Sequence, residues 1–345
     1  MKRFILILIS LLSTLHAVTQ GCVAIRNVAG VNPDLLFKNI QSGDRFILTM
    51  TNRYFEAART YRGKNFVTDT LVRNKLYTLD LSLLRILPNG WSLALNAPIS
   101  SNSRRNSNDH GGPKTPKHTT HAFGLGDLRL VVYKWLLDPS ANKKGNIQAG
   151  LGVKFPTGDY RYEDYFFRND STKVLAPVDQ AIQLGDGGTG FTVELSGFYS
   201  FNKSMNLFIQ GFYLINPREQ NGVSNLKGRS PTEFENANST TVMSVPDQYH
   251  IRGGASLHFE KTSFTAGLLF EQVPVNDLIG GIKGFRRAAS ILSAEAGGTF
   301  SMKKTILFAN LGFPFKCNIV QNTQNNMTPA GFTNFVLSLG ASIKL

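Results

Sequence analysis

The chain has 345 residues, 37 Lys and Arg against 23 Asp and Glu for a formal charge of +14, and 42% hydrophobic residues. Beyond the first residues no apolar stretch is long enough for a membrane helix, which argues against a helical inner-membrane protein. What remains is apolar character spread through alternation along a basic chain.

Lys2 and Arg3 precede an apolar run from Phe4 to Leu15, too short to span a bilayer and suited to a secretory signal. Residues 1–21 are therefore expected to be a signal peptide cleaved between 17 and 21, which takes the charge from +14 to +12 as Lys2 and Arg3 leave. Residues 22–42 are expected to form a periplasmic or lumen-plugging segment, and 43–345 a barrel. For an exported barrel the basic charge does not read as nucleic-acid binding. Basic residues such as Arg104, Arg105, Lys114 and Lys117 are expected in solvated loops, where they meet lipopolysaccharide phosphates or steer anionic solutes.

From there the period is two. Strands are predicted over 46–55, 76–87, 91–99, 126–137, 147–155 and 191–201, then over 205–216, 249–260, 263–271, 291–300, 305–313 and 332–345. In the last of these Phe335, Leu337, Leu339, Ala341, Ile343 and Leu345 share one face, while Ser338, Gly340, Ser342 and Lys344 share the other. Tight turns are expected at Pro88-Asn89-Gly90, Asn202-Lys203, Glu260-Lys261 and Met302-Lys303, with a slightly longer one from Asp138 to Lys144. Between them lie long polar stretches, 58–75, 100–123, 157–188, 217–246, 272–288 and 314–331. A soluble sandwich shows the same alternation but has no reason to sort its loops by length. The reading is an all-β chain: a single antiparallel transmembrane β-barrel of about twelve strands, with long external loops, short periplasmic turns and both termini in the periplasm of a Gram-negative cell.

Gly124-Leu125-Gly126-Asp127-Leu128, Lys154-Phe155-Pro156-Thr157-Gly158-Asp159 and Gln183-Leu184-Gly185-Asp186-Gly187-Gly188 resemble, in that order, the outer-membrane family linked to the phenol meta-degradation pathway. Phe212-Tyr213-Leu214-Ile215-Asn216-Pro217-Arg218-Glu219 adds to the resemblance, which covers the middle half of the chain. It implies a barrel related to fatty-acid and aromatic-hydrocarbon channels, and no phenol chemistry. The chain departs from many barrels in ending on Leu345 instead of the Phe read by the assembly machinery. In physical terms these glycines stand at strand ends, where bends and close approach need no side chain. Gly185 to Gly190 is not a phosphate loop, since neither the lysine nor the helix of that motif follows.

The polar face carries Arg53, Asp80, Asp127, Arg129, Lys154, Glu194, His250, Arg252, His258, Glu271, Glu295 and Lys344, with Phe198, Phe208, Phe212 and Leu214 among them. A charge at the bilayer midplane costs about 2–4 kcal/mol, so these groups are expected to line the lumen. There they either pair with one another structurally or guide amphipathic solutes. Twelve strands lie between filled eight-stranded barrels and open porins, so inward loops or the N-terminal segment are expected to occlude the lumen in part.

Cys22 and Cys317 share an oxidising compartment, which allows a disulfide, lipidation of Cys22, or two free thiols. His110, His118 and His121 are read as loop histidines with no metal, because nothing supplies a second shell. No nucleophile elbow accompanies His250 or His258, so an outer-membrane hydrolase ranks last and no cofactor is expected. The expected function is passive uptake of small hydrophobic or aromatic solutes. The alternative is a closed structural or surface-interaction barrel, and the expected partners are outer-membrane lipid, lipopolysaccharide, the assembly machinery and the solute.

Overall fold

A computed structural model describes residues 33–35, 37, 45–62, 65–68, 72–112, 116–169, 171–319 and 330–345. The expected signal peptide, Cys22 and Lys114 lie outside the described residues. Eighteen strands form among the described residues: β1 (Phe46–Arg62), β2 (Asn65–Thr68), β3 (Val72–Ile86), β4 (Trp91–Asn106), β5 (His118–Leu125), β6 (Leu128–Trp135), β7 (Gly145–Phe155), β8 (Glu163–Phe167), β9 (Lys173–Pro177), β10 (Gly190–Ser200), β11 (Met205–Ile215), β12 (Gln220–Ser224), β13 (Val242–Ser244), β14 (Gln248–His258), β15 (Thr262–Val273), β16 (Ala289–Ser301), β17 (Thr305–Ile319) and β18 (Ala330–Lys344). Twelve staves, β5 and β6 together making the fourth, pair antiparallel in chain order, and β18 closes on β1. Closure leaves no edge, which a sheet in hydrocarbon requires.

The two faces meet different solvents. On β10, Phe191, Val193, Leu195 and Tyr199 are about half exposed, while Thr192 and Phe198 are buried inside the barrel. On β14, Tyr249 near the long-loop end and Phe259 just past the short-turn end bracket the apolar wall. Ten residues of strand rise about 33 Å, or about 25 Å along the membrane normal at a 40° tilt, the height of a hydrocarbon band. Tyr77, Phe123, Phe155 and Phe191 continue the outer aromatic belt, and Trp91, Tyr199, Phe264 and Phe300 the inner one. At the short-turn rim Asn89 (φ 58°) and Gly90 (φ 73°) take the left-handed conformations that an Asn-Gly pair tolerates.

All twelve predicted staves are present, but several run further than the alternation suggests. β4 continues through Ser100–Asn106 and β1 through Ala58–Arg62, stretches expected as loop. Above the bilayer both faces of a strand meet polar surroundings, so the period-two signal fades while the ladder persists. β17 likewise runs past Pro314, because a register shift opposite Leu292 and Ser293 accommodates the residue without an N–H. Two other long loops fold on themselves: 156–189 contains the β8–β9 hairpin, and 216–247 contains β12, β13 and a one-turn helix, Glu233–Ala237, closed by a Thr232–Glu235 capping box.

Candidate functional site: the barrel lumen

The inner wall carries charge in matched sets. Arg53 lies 3.5 Å from Asp80, Arg129 3.3 Å from Glu194, and Arg252 2.5 Å from Glu295. Arg129 and Lys154 stand directly opposite across β6 and β7, a repulsive placement that carboxylates resolve. Glu194 takes Arg129, while Lys154 touches Asp186 and lies 3.8 Å from Asp127. Tyr133 donates to Glu194 (2.7 Å) and Asn310 to Glu295 (3.0 Å), so the carboxylates are held by neutral donors as well. Arg129 lies over the Phe212 ring and Arg252 over Phe208, each 5.2 Å from the centroid, and His250 stacks on Phe212 at 5.2 Å.

Three glycine motifs meet at Asp127, where the fourth stave breaks between β5 and β6. Asp127 accepts from Gly158 N (3.0 Å) and Asp186 N (3.2 Å). Thr157 spans the break itself: its hydroxyl donates to Gly126 O and accepts from Leu128 N, both at 2.9 Å. A side chain at position 185 is impossible, since its Cβ would sit 2.4 Å from Asp127 Oδ1 and 2.8 Å from Gly158 O. The motifs are thus one joint that ties the loop after β7 to a gap in the wall.

That loop crosses the mouth of the barrel. Val178, Ile182 and Leu184 pack on Ala122 of β5, whereas Ala181 packs with Ala289, Ile291, Cys317 and Ile319 on β16 and β17. Gln180 donates to Ser244 O and Phe285 O, linking this lid to the two later loops. Above it Asp179, fully buried, faces Arg287 (2.9 Å), Lys227 (3.1 Å) and Arg104 (3.6 Å), and Asp109 also reaches Arg104 (2.8 Å) and Lys227 (3.3 Å). Burial alone would raise the Asp179 carboxyl, but Arg104, Arg287 and Lys227 outweigh it and hold it well below the usual carboxylate range. At Asp109 burial is likewise overcome, by Arg104 and Lys227, and the carboxyl is held low. Arg104, expected in a solvated loop, is therefore an interior residue on an extended strand, while Arg105 beside it is exposed.

The opposite end is also occupied. Pro33, Asp34, Leu35 and Phe37 are helical and buried. Asp34 accepts from Asn206 (2.8 Å) and sits 3.2 Å from His258. Leu35 packs on Ile306 and Phe308, and the Phe37 ring lies 4.9 Å from Trp135 and 5.1 Å from Phe198.

Between lid and helical residues is a cavity of about 270 Å³. It is lined by Asp80, Asp127, Arg129, Lys154, Glu194, Phe212, His250 and Arg252 of the predicted set. Arg53, Glu271 and Glu295 are buried behind that lining, and Phe208 and His258 stand at the inner end, as Lys344 does on the last stave. Missed from sequence were Tyr133, Gln210 and Gln248, the lid groups Gln180 and Gln183, and Arg287 of the loop before β16. Among the polar atoms in the lining, Asn96 Nδ2, Thr192 Oγ1 and His250 Nδ1 have no hydrogen-bond partner within the described residues. His110, expected loose in a loop, is buried instead, stacked on Phe166 with His118 on Phe167, and burial lowers its ring to about 4. Cys317 is buried beneath the lid with no disulfide among the described residues, and its suggested partner Cys22 lies outside them.

No protein-family model matches the chain, and no curated protein sequence matches it. Among solved structures it is similar to an outer membrane channel from Pseudomonas putida F1, with 15% identity over 87% of this chain and 95% of that one and a TM-score of 0.61. The CymD monoaromatic hydrocarbon channel (11% identity, 96% and 98% covered, TM-score 0.46) is a weaker likeness, as is the translocator domain of autotransporter NalP from Neisseria meningitidis (9%, 90% and 94%, 0.45). With its closed apolar wall, aromatic belts and polar lumen, the chain is a twelve-stranded transmembrane barrel with the fold of an outer-membrane channel.

Proposed function

We propose that the protein is a passive outer-membrane channel for small amphipathic solutes, and that it catalyses no reaction. The cavity carries this reading. Its Phe212–Leu214 floor is flanked by Thr192 and Glu194 on one strand and Gln248 and His250 on another, with Thr192 Oγ1 and His250 Nδ1 lacking hydrogen-bond partners among the described residues. Buried polar atoms normally find a partner, and a solute with an apolar body and one hydrogen-bonding group supplies it. The volume, near the lower end of small-molecule sites, fits a small solute and not an oligosaccharide. A link to aromatic degradation rests on the motif resemblance alone.

On this reading residues 1–21 are removed on export and the rest of the N-terminal segment enters the lumen behind Phe37. A Cys22–Cys317 bridge would fasten it to the region under the lid. The second reading, a closed structural barrel, is favoured by the occupation of both ends. Flux decides between them: purified protein in liposomes is exposed to phenylacetate, benzoate, butyrate and glucose, with swelling and planar-bilayer conductance recorded. Saturable passage of the amphipathic acids that weakens in Thr192→Val and His250→Phe supports a channel. Absence of any flux, including in protein whose lid has been loosened by Asp179→Asn, refutes it.

A further inference from the structure

We propose that the outer wall of β3 and β4, just above the aromatic belt, is a binding site for the phosphate groups of lipopolysaccharide in the outer leaflet. The site rests on the long-loop end being external and not on conduction through the lumen.

Lys75, Arg73 and Arg105 all project outward from this wall and are exposed. Arg73 stands directly opposite Arg105 across the β3–β4 ladder, and Lys75 lies one outward position below Arg73. Like charges directly opposite on one sheet face repel, and nothing in the fold requires two arginines there. The wall compensates only in part. Glu56 on β1 stands opposite Lys75 and lies 3.0 Å from Arg73 Nε, leaving three cations against one carboxylate. Among the described residues Tyr54 on β1 also faces Glu56 and Arg73, and further along the wall His121 on β5 lies 3.8 Å from Asp164 on the neighbouring hairpin. Among the described residues of β1, β3 and β4, Arg73, Lys75 and Arg105 against Glu56 leave about +2 on one small patch, and with histidine neutral Asp164 beyond β5 brings the wider face to about +1.

The height of the patch selects the ligand. Tyr77 belongs to the aromatic belt, with its hydroxyl donating to Asn52 (2.6 Å), and Ser101 and Phe123 share its row on β4 and β5. Lys75 is two residues further out, about 7 Å along the strand, and Arg73 and Arg105 about 13 Å. Corrected for tilt, the cations lie roughly 5–10 Å beyond the hydrocarbon boundary, the depth of the headgroup region. Aqueous anions do not collect on the lipid-facing side of a barrel, whereas the phosphates of a glycolipid are held there by its acyl chains. Those chains have a surface to lie on: Tyr77, Phe123 and Leu125 are 39%, 66% and 43% exposed directly below. Guanidinium forks from two strands, about 5 Å apart, match a phosphate that accepts from both sides.

The test uses full-length mature protein in detergent and native mass spectrometry, with bis-phosphorylated hexa-acyl lipid A as probe and the same glycolipid stripped of phosphate as control. Wild-type protein is expected to hold the phosphorylated probe and to release the dephosphorylated one. An R73Q/R105Q variant should bind the probe roughly thirtyfold more weakly, as two interfacial cations predict. Lys203→Gln with Lys261→Gln, two cations on the short-turn rim, should bind as wild type. Heat-modifiable gel mobility confirms that each variant is folded. Equal binding of the dephosphorylated glycolipid, or an R73Q/R105Q variant that binds as wild type, overturns the proposal. Neither result touches the channel reading, because solute flux is measured in phosphatidylcholine liposomes free of this glycolipid.

Discussion

Replacing Asp179 with Asn keeps the shape of the side chain and removes one charge from the network that fastens the lid. Three cations, Arg104, Lys227 and Arg287, lie within 2.9–3.6 Å of that fully buried carboxylate, and Asp109 is the second anion of the cluster. Two carboxylates against three cations leave about +1; with Asn the imbalance is about +2 in a site closed to water. Breaking a buried pair from one side costs about 3–5 kcal/mol. The wall is held by ladder hydrogen bonds that do not involve Asp179, so the loss should fall on the lid and not on the barrel. A change of 3 kcal/mol raises the open fraction of the lid by about two orders of magnitude. Hydrogen exchange over residues 178–188 should accelerate by that factor, with flickering added to single-channel recordings, while heat-modifiable mobility stays that of a folded barrel. The pH dependence has a definite sign. The carboxyl is held below its unfolded value, so its contribution is complete above about pH 4 and is lost only as pH falls toward the low folded value. Wild-type lid protection should therefore be flat from pH 8 to 5. Unchanged exchange in Asp179→Asn, or a lid that loosens between pH 7 and 5, would refute this account of the network.

Phe37→Ala should release the inner end: losing contacts with Trp135, Phe198 and Phe208 removes about 3 kcal/mol or more of anchoring, so protease cleavage of residues 22–44 should quicken by about a hundredfold. An unchanged rate would mean that Phe37 does not hold the segment. Glu295→Gln leaves Arg252 buried beside a neutral amide, and reversal potentials should shift toward anion preference, with a loss of about 3–5 kcal/mol in stability. Thr157→Val removes both hydrogen bonds across the break in the fourth stave and should lower stability by about 1–3 kcal/mol, read as a lower unfolding midpoint, while Thr157→Ser stays near wild type.

The architecture was legible because the membrane imposes one rule on every stave, and charged residues such as Arg252 and Glu194 could only point inward. Where both faces are apolar, the rule is silent. On β6, Tyr133 and Trp135 face inward beside Val131, and nothing in Leu-Val-Val-Tyr-Lys-Trp separates them from the lipid-facing Leu130 and Val132. The lid was illegible for another reason. Ala181 and Val178 reach opposite walls only because of how one loop folds, and no local periodicity encodes that path. Arg104 and Arg105 show the limit at the scale of two residues: adjacent in a polar run, they look alike until the strand extension sends one into the interior and the other to the surface. The three glycine motifs were visible as motifs, but their convergence on Asp127 required the fold.

The lumen ladder also bears on how the molecule answers an electric field. Arg53, Arg129, Lys154 and Arg252 are each clamped to a carboxylate on the same rigid wall. Moving one elementary charge through 100 mV is worth about 2.3 kcal/mol, but a locked doublet translocates no net charge and the field exerts on it only a torque. Among the described residues these four pairs therefore supply no gating charge. A membrane potential does no net work on the lumen wall through these four pairs, and on the channel reading the driving force left to them is the concentration of solute on either side.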